Sequence, residues 1–377
     1  MPAPEHSPPQ FNARFLATPQ GWPYLLVPFI PAAILLDLLN ASQGLIFVCS
    51  ALGIVPTAAL MGRATEELAA RSGPGIGGLL NVTFGNAPEL IIALFALGHG
   101  LHEVVKASLI GSILGNLLLV MGASMLVGGL GRERQRFNST AASVQTSMLL
   151  LAAVAMVMPA VFQLVHGDGL PRVGVEMVSF GSTIELLSGL VAGVLIATYV
   201  TGLVFSLKTH RDLFNPEYED EETWGWSPRM SIAMLAVAGV AVGVMSEILV
   251  GSISAASQSL GLSEFFIGII VVAIVGNAAE HWVAVLVARK DKMDLSVNIA
   301  IGSSAQVALF VTPVLVLAGY FIGPGPLPLV FNGYELSALL FAVLIASYVS
   351  HEGESTWFEG VQLLAVYLVM AVVFAFA

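Results

Sequence analysis

Residues 81–90 read NVTFGNAPEL, in an apolar run from Ile76 to Leu97 that also holds Gly85, Asn86, Pro88 and Glu89. A carboxylate in hydrocarbon costs on the order of 2.5–3.5 kcal/mol even on the gentlest insertion scale, so its default reading is functional. Gly85 and Asn86 precede Glu89 by four and three residues, which puts all three on one helix face. Pro88 lacks an N–H and disfavours the bond to the carbonyl of Phe84, while Gly85 lets another backbone come close. Together they predict a broken helix with free carbonyl oxygens beside a carboxylate.

The pattern returns 191 residues later. In GIIVVAIVGNAAEHWVAV, Gly276, Asn277, Ala278 and Glu280 echo Gly85, Asn86, Ala87 and Glu89. The same offset carries Gly111 and Ser112 of LIGSILGN onto Gly302 and Ser303 of IGSSAQVA. The second copy has Ala279 where the first has Pro88, so a break there would rest on Gly276 and Asn277 alone.

The setting is a bilayer. The 377 residues are 56% hydrophobic and 10% charged, with mean hydropathy +0.87, outside the range of soluble domains. Runs long enough to cross about 30 Å of hydrocarbon fall near 22–40, 44–61, 76–98, 104–129, 141–165, 178–207, 230–251, 264–287, 294–320, 334–349 and 356–377. The expected fold is an all-α integral membrane protein of about eleven helices, two inverted five-helix repeats with one extra N-terminal helix. Its parts are 1–43, the N-terminal tail and extra helix; 44–207, the first repeat; 208–228, an acidic linker; and 229–377, the second repeat. An odd number of spans per half makes the halves enter from opposite sides, a plan that puts a transport site near the midplane between them. With eleven spans, twelve of the fourteen Lys and Arg residues fall on one side, leaving Lys106 and Arg172 opposite. That side is then cytoplasmic, with the N-terminus there and the C-terminus outside.

The first 22 residues read as a short tail without a signal peptide. The net charge of −11 and the lack of an aromatic-interleaved basic patch argue against nucleic acid. Cys49, a single thiol in an apolar run, reads as a packed side chain.

The repeated residues, with Gln306 beside them, make a site of oxygen: two carboxylates, the amides of Asn86, Asn277 and Gln306, the hydroxyls of Ser112 and Ser303, and helix-break carbonyls. Hard divalent cations take such ligands, and Ca²⁺ with six to eight fits better than Mg²⁺. His281, adjacent to Glu280, points elsewhere on a helix and reads as a supporting or packing residue. Emptied of a cation, two like charges in a poorly solvated place favour protonation. Cation and protons then compete for one site, which exchange requires. Asp37, Glu185 and Glu247 also lie in or near spans but have no motif around them, and they read as satisfied or span-end carboxylates.

GLLNVTFGNAPEL and GIIVVAIVGNAAEHWVAV resemble the paired signature motifs of the cation/proton exchangers, the Ca²⁺/H⁺ antiporters of the Ca²⁺/cation antiporter superfamily. The resemblance covers about residues 44 to 377. It implies an eleven-helix fold of two inverted halves, Ca²⁺ as transported substrate with no cofactor, and proton-driven export from the cytosol. It further implies that Glu89 and Glu280 carry cation and protons, that Gly85 and Gly276 supply carbonyls, and that Asn86, Asn277, Ser112, Ser303 and Gln306 support them. The family tends to have an acidic segment between the halves, matched here by EYEDEE: Glu217, Glu219, Asp220, Glu221 and Glu222. That segment lacks the turn glycine and spacing of an EF-hand loop; it reads equally as a regulatory or Ca²⁺-gathering element and as a solvated linker. A compact chain of this kind looks prokaryotic, which implies the cell membrane; a homo-oligomer stays open. A Na⁺/Ca²⁺-type or Na⁺(K⁺)/H⁺-type exchanger of the same superfamily is the second reading, although the Na⁺/Ca²⁺ motifs place Thr and Ser where this chain has Asn and Ala. A cation channel comes third. An intramembrane enzyme is disfavoured because HEGES at 351 lacks the second zinc-motif histidine.

Overall fold

A computed structural model describes residues 13–16, 18, 20–177, 181–209 and 224–377; the acids Glu217, Glu219, Asp220, Glu221 and Glu222 lie outside them. After a four-residue helix at Ala13–Leu16, the helices are α1 (Trp22–Leu38), α2 (Gln43–Phe84), α3 (Ala87–Gly98), α4 (His102–Gly129), α5 (Ser139–Val165), α6 (Ser182–Thr209), α7 (Pro228–Leu260), α8 (Glu264–Arg289), α9 (Met293–Ala318), α10 (Gly333–Val349) and α11 (Trp357–Ala375). Among the described residues, eight helices or helix portions are long and apolar enough to span a membrane, and α1, α3 and α10 are shorter apolar helices. This is a membrane-spanning, almost wholly helical chain.

Two span boundaries differ from expectation. The connection expected at 62–75 is helical, because RATEELAAR is a run of strong helix formers. The helix nonetheless turns back: a β-carbon on Gly77 would lie 2.6 Å from Ala69 O, whereas eight residues of straight helix would separate the two by about 12 Å. At the other boundary, α7 runs nine residues past the expected end at 251. Its last turns are rich in serine, and Ser252, Ser257 and Ser259 return their hydroxyls to carbonyls three residues back at 2.8, 2.8 and 3.0 Å. Gly261, at φ +68°, ends it.

The centre is formed by α4 and α9, whose apolar windows are 78% and 72% buried against 17% for α6 and α11. Close approach of α8 to α4 depends on glycine: a β-carbon on Gly111 of α4 would fall 2.0 Å from Ile269 O of α8, and one on Gly268 of α8 would fall 3.0 Å from Val104 O of α4.

The connections form two groups. On the linker side, β1 (Gln135–Arg136) pairs antiparallel with β2 (Glu354–Ser355), Gln135 opposite Ser355. Gln135 Nε2 reaches Ala288 O at 3.0 Å and Arg132 reaches Arg289 O at 3.2 Å. Phe15 packs edge-on to Trp224 there, ring centres 5.6 Å apart. On the opposite side, Tyr320 donates to Glu185 O at 2.7 Å, and Phe374, near the C-terminus, packs edge-on to Phe265. Lys106 and Arg172, the two basic residues expected apart from the rest, line one small cavity on that side.

The linker side has its own anchor. Glu67, 1% exposed, accepts the backbone N–H of Trp224 through Oε1 and that of Trp226 through Oε2 at 3.1 Å. Arg63 Nη2 lies 3.0 Å from Glu67 Oε1, and its guanidinium stacks over the Trp224 ring at 4.7 Å. Ser227 then caps α7, accepting from Met230 N at 3.2 Å, with Pro228 in the first turn.

Candidate ion-binding site

The first motif breaks its helix as the sequence predicts. α2 ends at Phe84, Asn86 takes φ −102° and ψ 20°, and α3 begins at Ala87 with Pro88 in its first turn and Glu89 beside it. The Phe84 carbonyl loses the partner that residue 88 would supply. The second motif does not break. Ala273–Arg289 is continuous through Gly276, Asn277 and Glu280, because Ala279 keeps the N–H that proline lacks. The Gly276 carbonyl therefore stays in a regular helical ladder, and the two motif glycines differ in what they offer.

What the glycines share is room for the opposite glutamate. A β-carbon on Gly85 would stand 3.5 Å from Glu280 Oε1, and one on Gly276 would stand 3.3 Å from Glu89 Cγ. Each half thus seats the carboxylate of the other.

The amides and hydroxyls join across the same interface. Ser303 Oγ is 3.0 Å from Asn86 Oδ1 and 3.2 Å from Glu280 Oε2, and Asn86 Nδ2 donates to Gln306 Oε1 at 2.5 Å. In the mirrored position Asn277 Nδ2 donates to Ser112 Oγ at 3.1 Å and to Ala273 O at 3.0 Å. The two Asn–Ser contacts are related by the 191-residue offset but run with opposite polarity. Asn86 and Asn277 are each 1% exposed.

Both central helices widen just past their serines. π-helical turns occupy Gly115–Val120 in α4 and Val307–Val311 in α9, nearly equivalent positions in the two halves; such turns recur at functional sites. Symmetry fails one residue earlier, where Gln306 corresponds to Gly115. The space over Gly115 is taken by His281, with Cε1 3.6 Å from the β-carbon position, and His281 Nε2 is 3.2 Å from Asn116 Oδ1. Asn116, 1% exposed, was not singled out in the sequence, although it stands at the end of LIGSILGN; its partner lies 165 residues away.

Two buried acceptors, Glu89 Oε2 and Asn277 Oδ1, have no hydrogen-bond partner among the described residues. Buried polar atoms are seldom left so, and oxygen atoms that only accept suit a cation. No group of three His, Cys, Asp or Glu capable of holding a metal occurs among the described residues, so ligands beyond the two carboxylates would be amide, hydroxyl and carbonyl oxygens. That donor set fits Ca²⁺ as cargo.

A family model described as sodium/calcium exchanger protein matches residues 42–208 and 230–376. The chain belongs to this exchanger family. It is 45% identical over 374 residues to a Ca²⁺/H⁺ antiporter of Synechocystis sp., covering 93% of this chain and 96% of that one. It is 44% identical over 355 residues to the Ca²⁺/H⁺ antiporter ChaA of Bacillus subtilis, covering 93% and 97%. Among solved structures, that of the Ca²⁺/H⁺ antiporter protein YfkE superposes with a TM-score of 0.79 at 40% identity, over 94% of this chain and 99% of that one. These proteins are transporters, and between the exchanger family's two matched blocks lie residues 209–229, from the end of α6 to the first residues of α7.

Proposed function

We propose that this protein exchanges Ca²⁺ for protons by alternating access at Glu89 and Glu280. The observation that carries the reading is the reciprocal seat: each motif glutamate lies against the glycine of the other motif, with Glu89 Oε2 and Asn277 Oδ1 buried and unpartnered among the described residues. The likeness to Ca²⁺/H⁺ antiporters over nearly the whole chain supports it. The halves 44–207 and 229–377 are read as inverted repeats that rock about the shared site, with the linker side facing the cytoplasm of a prokaryotic cell and the acids Glu217, Glu219, Asp220, Glu221 and Glu222 either gathering Ca²⁺ or serving as a solvated linker.

Ca²⁺ binds when the glutamates are ionised, held by both carboxylates and by amide and hydroxyl oxygens. Protons arriving from the far side neutralise the carboxylates and remove the charge that holds the ion. Carrying Ca²⁺ against about 100 mV costs roughly 4.6 kcal/mol, and two returning protons cancel that electrical cost. At least two protons per Ca²⁺ therefore follow from the two carboxylates.

The test is Ca²⁺ flux in proteoliposomes under an imposed pH gradient and, separately, an imposed Na⁺ gradient. Ca²⁺ movement driven by the pH gradient, with protons counted in the opposite direction, is the expected result. Movement driven only by Na⁺ would transfer the reading to sodium exchange, and Ca²⁺ leak without proton counter-movement would make it a channel.

A further inference from the structure

The side opposite the linker holds a second group of buried charges that the two motif glutamates leave unused. Lys106 of α4 is 6% exposed, Glu103 one turn before it 9%, and Glu335 of α10 only 1%. Lys106 Nζ donates to Val330 O at 3.1 Å, and Glu103 Oε1 accepts from Gly174 N at 2.8 Å. Glu335 Oε2 accepts from Asn332 N at 2.8 Å in the capping box of α10. Glu335 Oε1 is buried and has no hydrogen-bond partner among the described residues. These groups line a cavity of about 10 Å³ together with Arg172, Glu176 and Asn332, room for about one water molecule.

The charges do not balance. Two buried carboxylates, Glu103 and Glu335, face one buried ammonium. From the segment between α5 and α6, Glu176 adds another carboxylate, and Arg172 is exposed. His102 Nδ1 is 3.9 Å from Glu176 Oε1, and Glu264 at the start of α8 acts electrostatically on Glu103 and Glu176. A buried carboxylate without a compensating charge is neutralised by taking a proton. The trend reaches Glu176, outside the spans: desolvation holds its carboxyl above the ordinary range, against the opposing hydrogen bond from the Glu103 amide.

The cluster is also well placed. Lys106 and Ser112 are six residues apart on α4, about 9 Å of helix, and Ser112 accepts from Asn277 in the ion site. The cluster therefore lies one and a half turns from that site towards the surface opposite the linker.

We propose that Glu335 is a third proton carrier, loaded from the side opposite the linker, with Lys106 and Glu103 as its charge partners. The proton adds to Oε1 and leaves from it in each cycle, while Lys106 stays an ammonium. The proposal rests on the Ca²⁺/proton exchange reading. It makes transport three protons for one Ca²⁺, with one net charge moved per cycle.

The experiment measures the Ca²⁺ gradient sustained at equilibrium in proteoliposomes with a pH difference of one unit, first at zero voltage and then at an imposed voltage. Each coupled proton multiplies that gradient about tenfold, so the wild type should sustain about a thousandfold gradient and respond to voltage. Glu335→Gln should still exchange, but sustain a gradient about tenfold smaller and lose its response to voltage. Where Glu335→Gln folds poorly, the double variant Lys106→Gln with Glu335→Gln removes one charge of each sign and should show the same loss. Lys106→Gln alone should move the pH of half-maximal exchange upward, because the remaining carboxylates hold their proton more tightly. A Glu335→Gln protein with the wild-type gradient and voltage response overturns the proposal, as does a wild type that sustains only a hundredfold gradient. A wild type with no proton-coupled Ca²⁺ gradient would instead remove the exchange reading itself.

Discussion

Glu280 rests on Gly85, its Oε1 3.5 Å from the position a β-carbon on that glycine would take, and Glu89 stands in the same relation to Gly276 with Cγ at 3.3 Å. The glycines thus fix where two buried carboxylates can stand, and each carboxylate is positioned by the half of the chain to which it does not belong.

Glu89→Gln and Glu280→Gln should each abolish coupled exchange while the protein still folds, since the amide keeps the shape and hydrogen bonding but cannot change charge. Proton-driven Ca²⁺ flux in proteoliposomes, beside a thermal unfolding curve in detergent, separates the two effects. Substantial coupled flux in either variant would remove that glutamate from the site.

The two glycines should respond differently to alanine. In the unbroken α8, Gly276→Ala gains up to about 1 kcal/mol of helix propensity but presses on Glu89 Cγ at 3.3 Å. It should leave the unfolding temperature unchanged or raised while weakening Ca²⁺ binding. Gly85→Ala meets the Asn81 carbonyl at 2.6 Å, backbone that cannot swing aside, and should lower stability as well. Equal loss of stability in both variants would contradict this account.

The opposite polarity of the Asn–Ser contacts predicts unequal serines. Ser303→Ala removes the single hydroxyl proton within reach of Asn86 Oδ1 and Glu280 Oε2 and should cost about 1–3 kcal/mol. Ser112→Ala leaves Asn277 Nδ2 still bonded to Ala273 O and should cost only about 0.5–1.5 kcal/mol. Ca²⁺ titration and denaturation of both variants checks the order.

On the linker side, hydrogen bonding to Arg134 holds the Glu354 carboxyl below its ordinary range. A depressed folded value contributes stability that is present above the unfolded value and lost as pH falls through the folded one. The β1–β2 contact, with Arg134 Nη1 2.5 Å from Glu354 Oε2, should accordingly hold unchanged at neutral pH and loosen only in acid. Amide exchange at residues 135–136 and 354–355, corrected for intrinsic rates, measures it. Loosening near neutrality would show that another group controls the contact.

The sequence made much of this legible because the costly residues stand out. A carboxylate in an apolar run needs a reason, and a second copy at a fixed offset supplied the repeat and the pairing of Asn86 with Asn277 and Ser112 with Ser303. The break at Gly85–Asn86 was readable from Pro88, whereas the sequence left a second break at Gly276–Asn277 open and the structure shows that helix continuous. Glu67 and Glu335 were not readable. Glu67 falls in the stretch expected as a connection and Glu335 at the start of an expected span, where charge is ordinary, and the partners that give them meaning come from far along the chain: Trp224 lies 157 residues from Glu67. The reciprocal seating of glutamate on glycine was hidden for the same reason. Spacing shows that motifs match, but only packing shows that they face each other.

Glu67 grips Trp224 and Trp226 by their backbone N–H groups, so the start of α7 is fastened to α2 by contacts that do not run through residues 210–223. With Gly111 pressed on Ile269 at the centre, the two halves form a non-covalent assembly that happens to share one chain. Two separately translated fragments, one ending and the other beginning inside 210–223, should therefore find each other in a bilayer and co-purify as a working exchanger. Either fragment made alone would present its glutamate with no glycine to seat it, an unmatched intramembrane charge that the bilayer tolerates only at a cost.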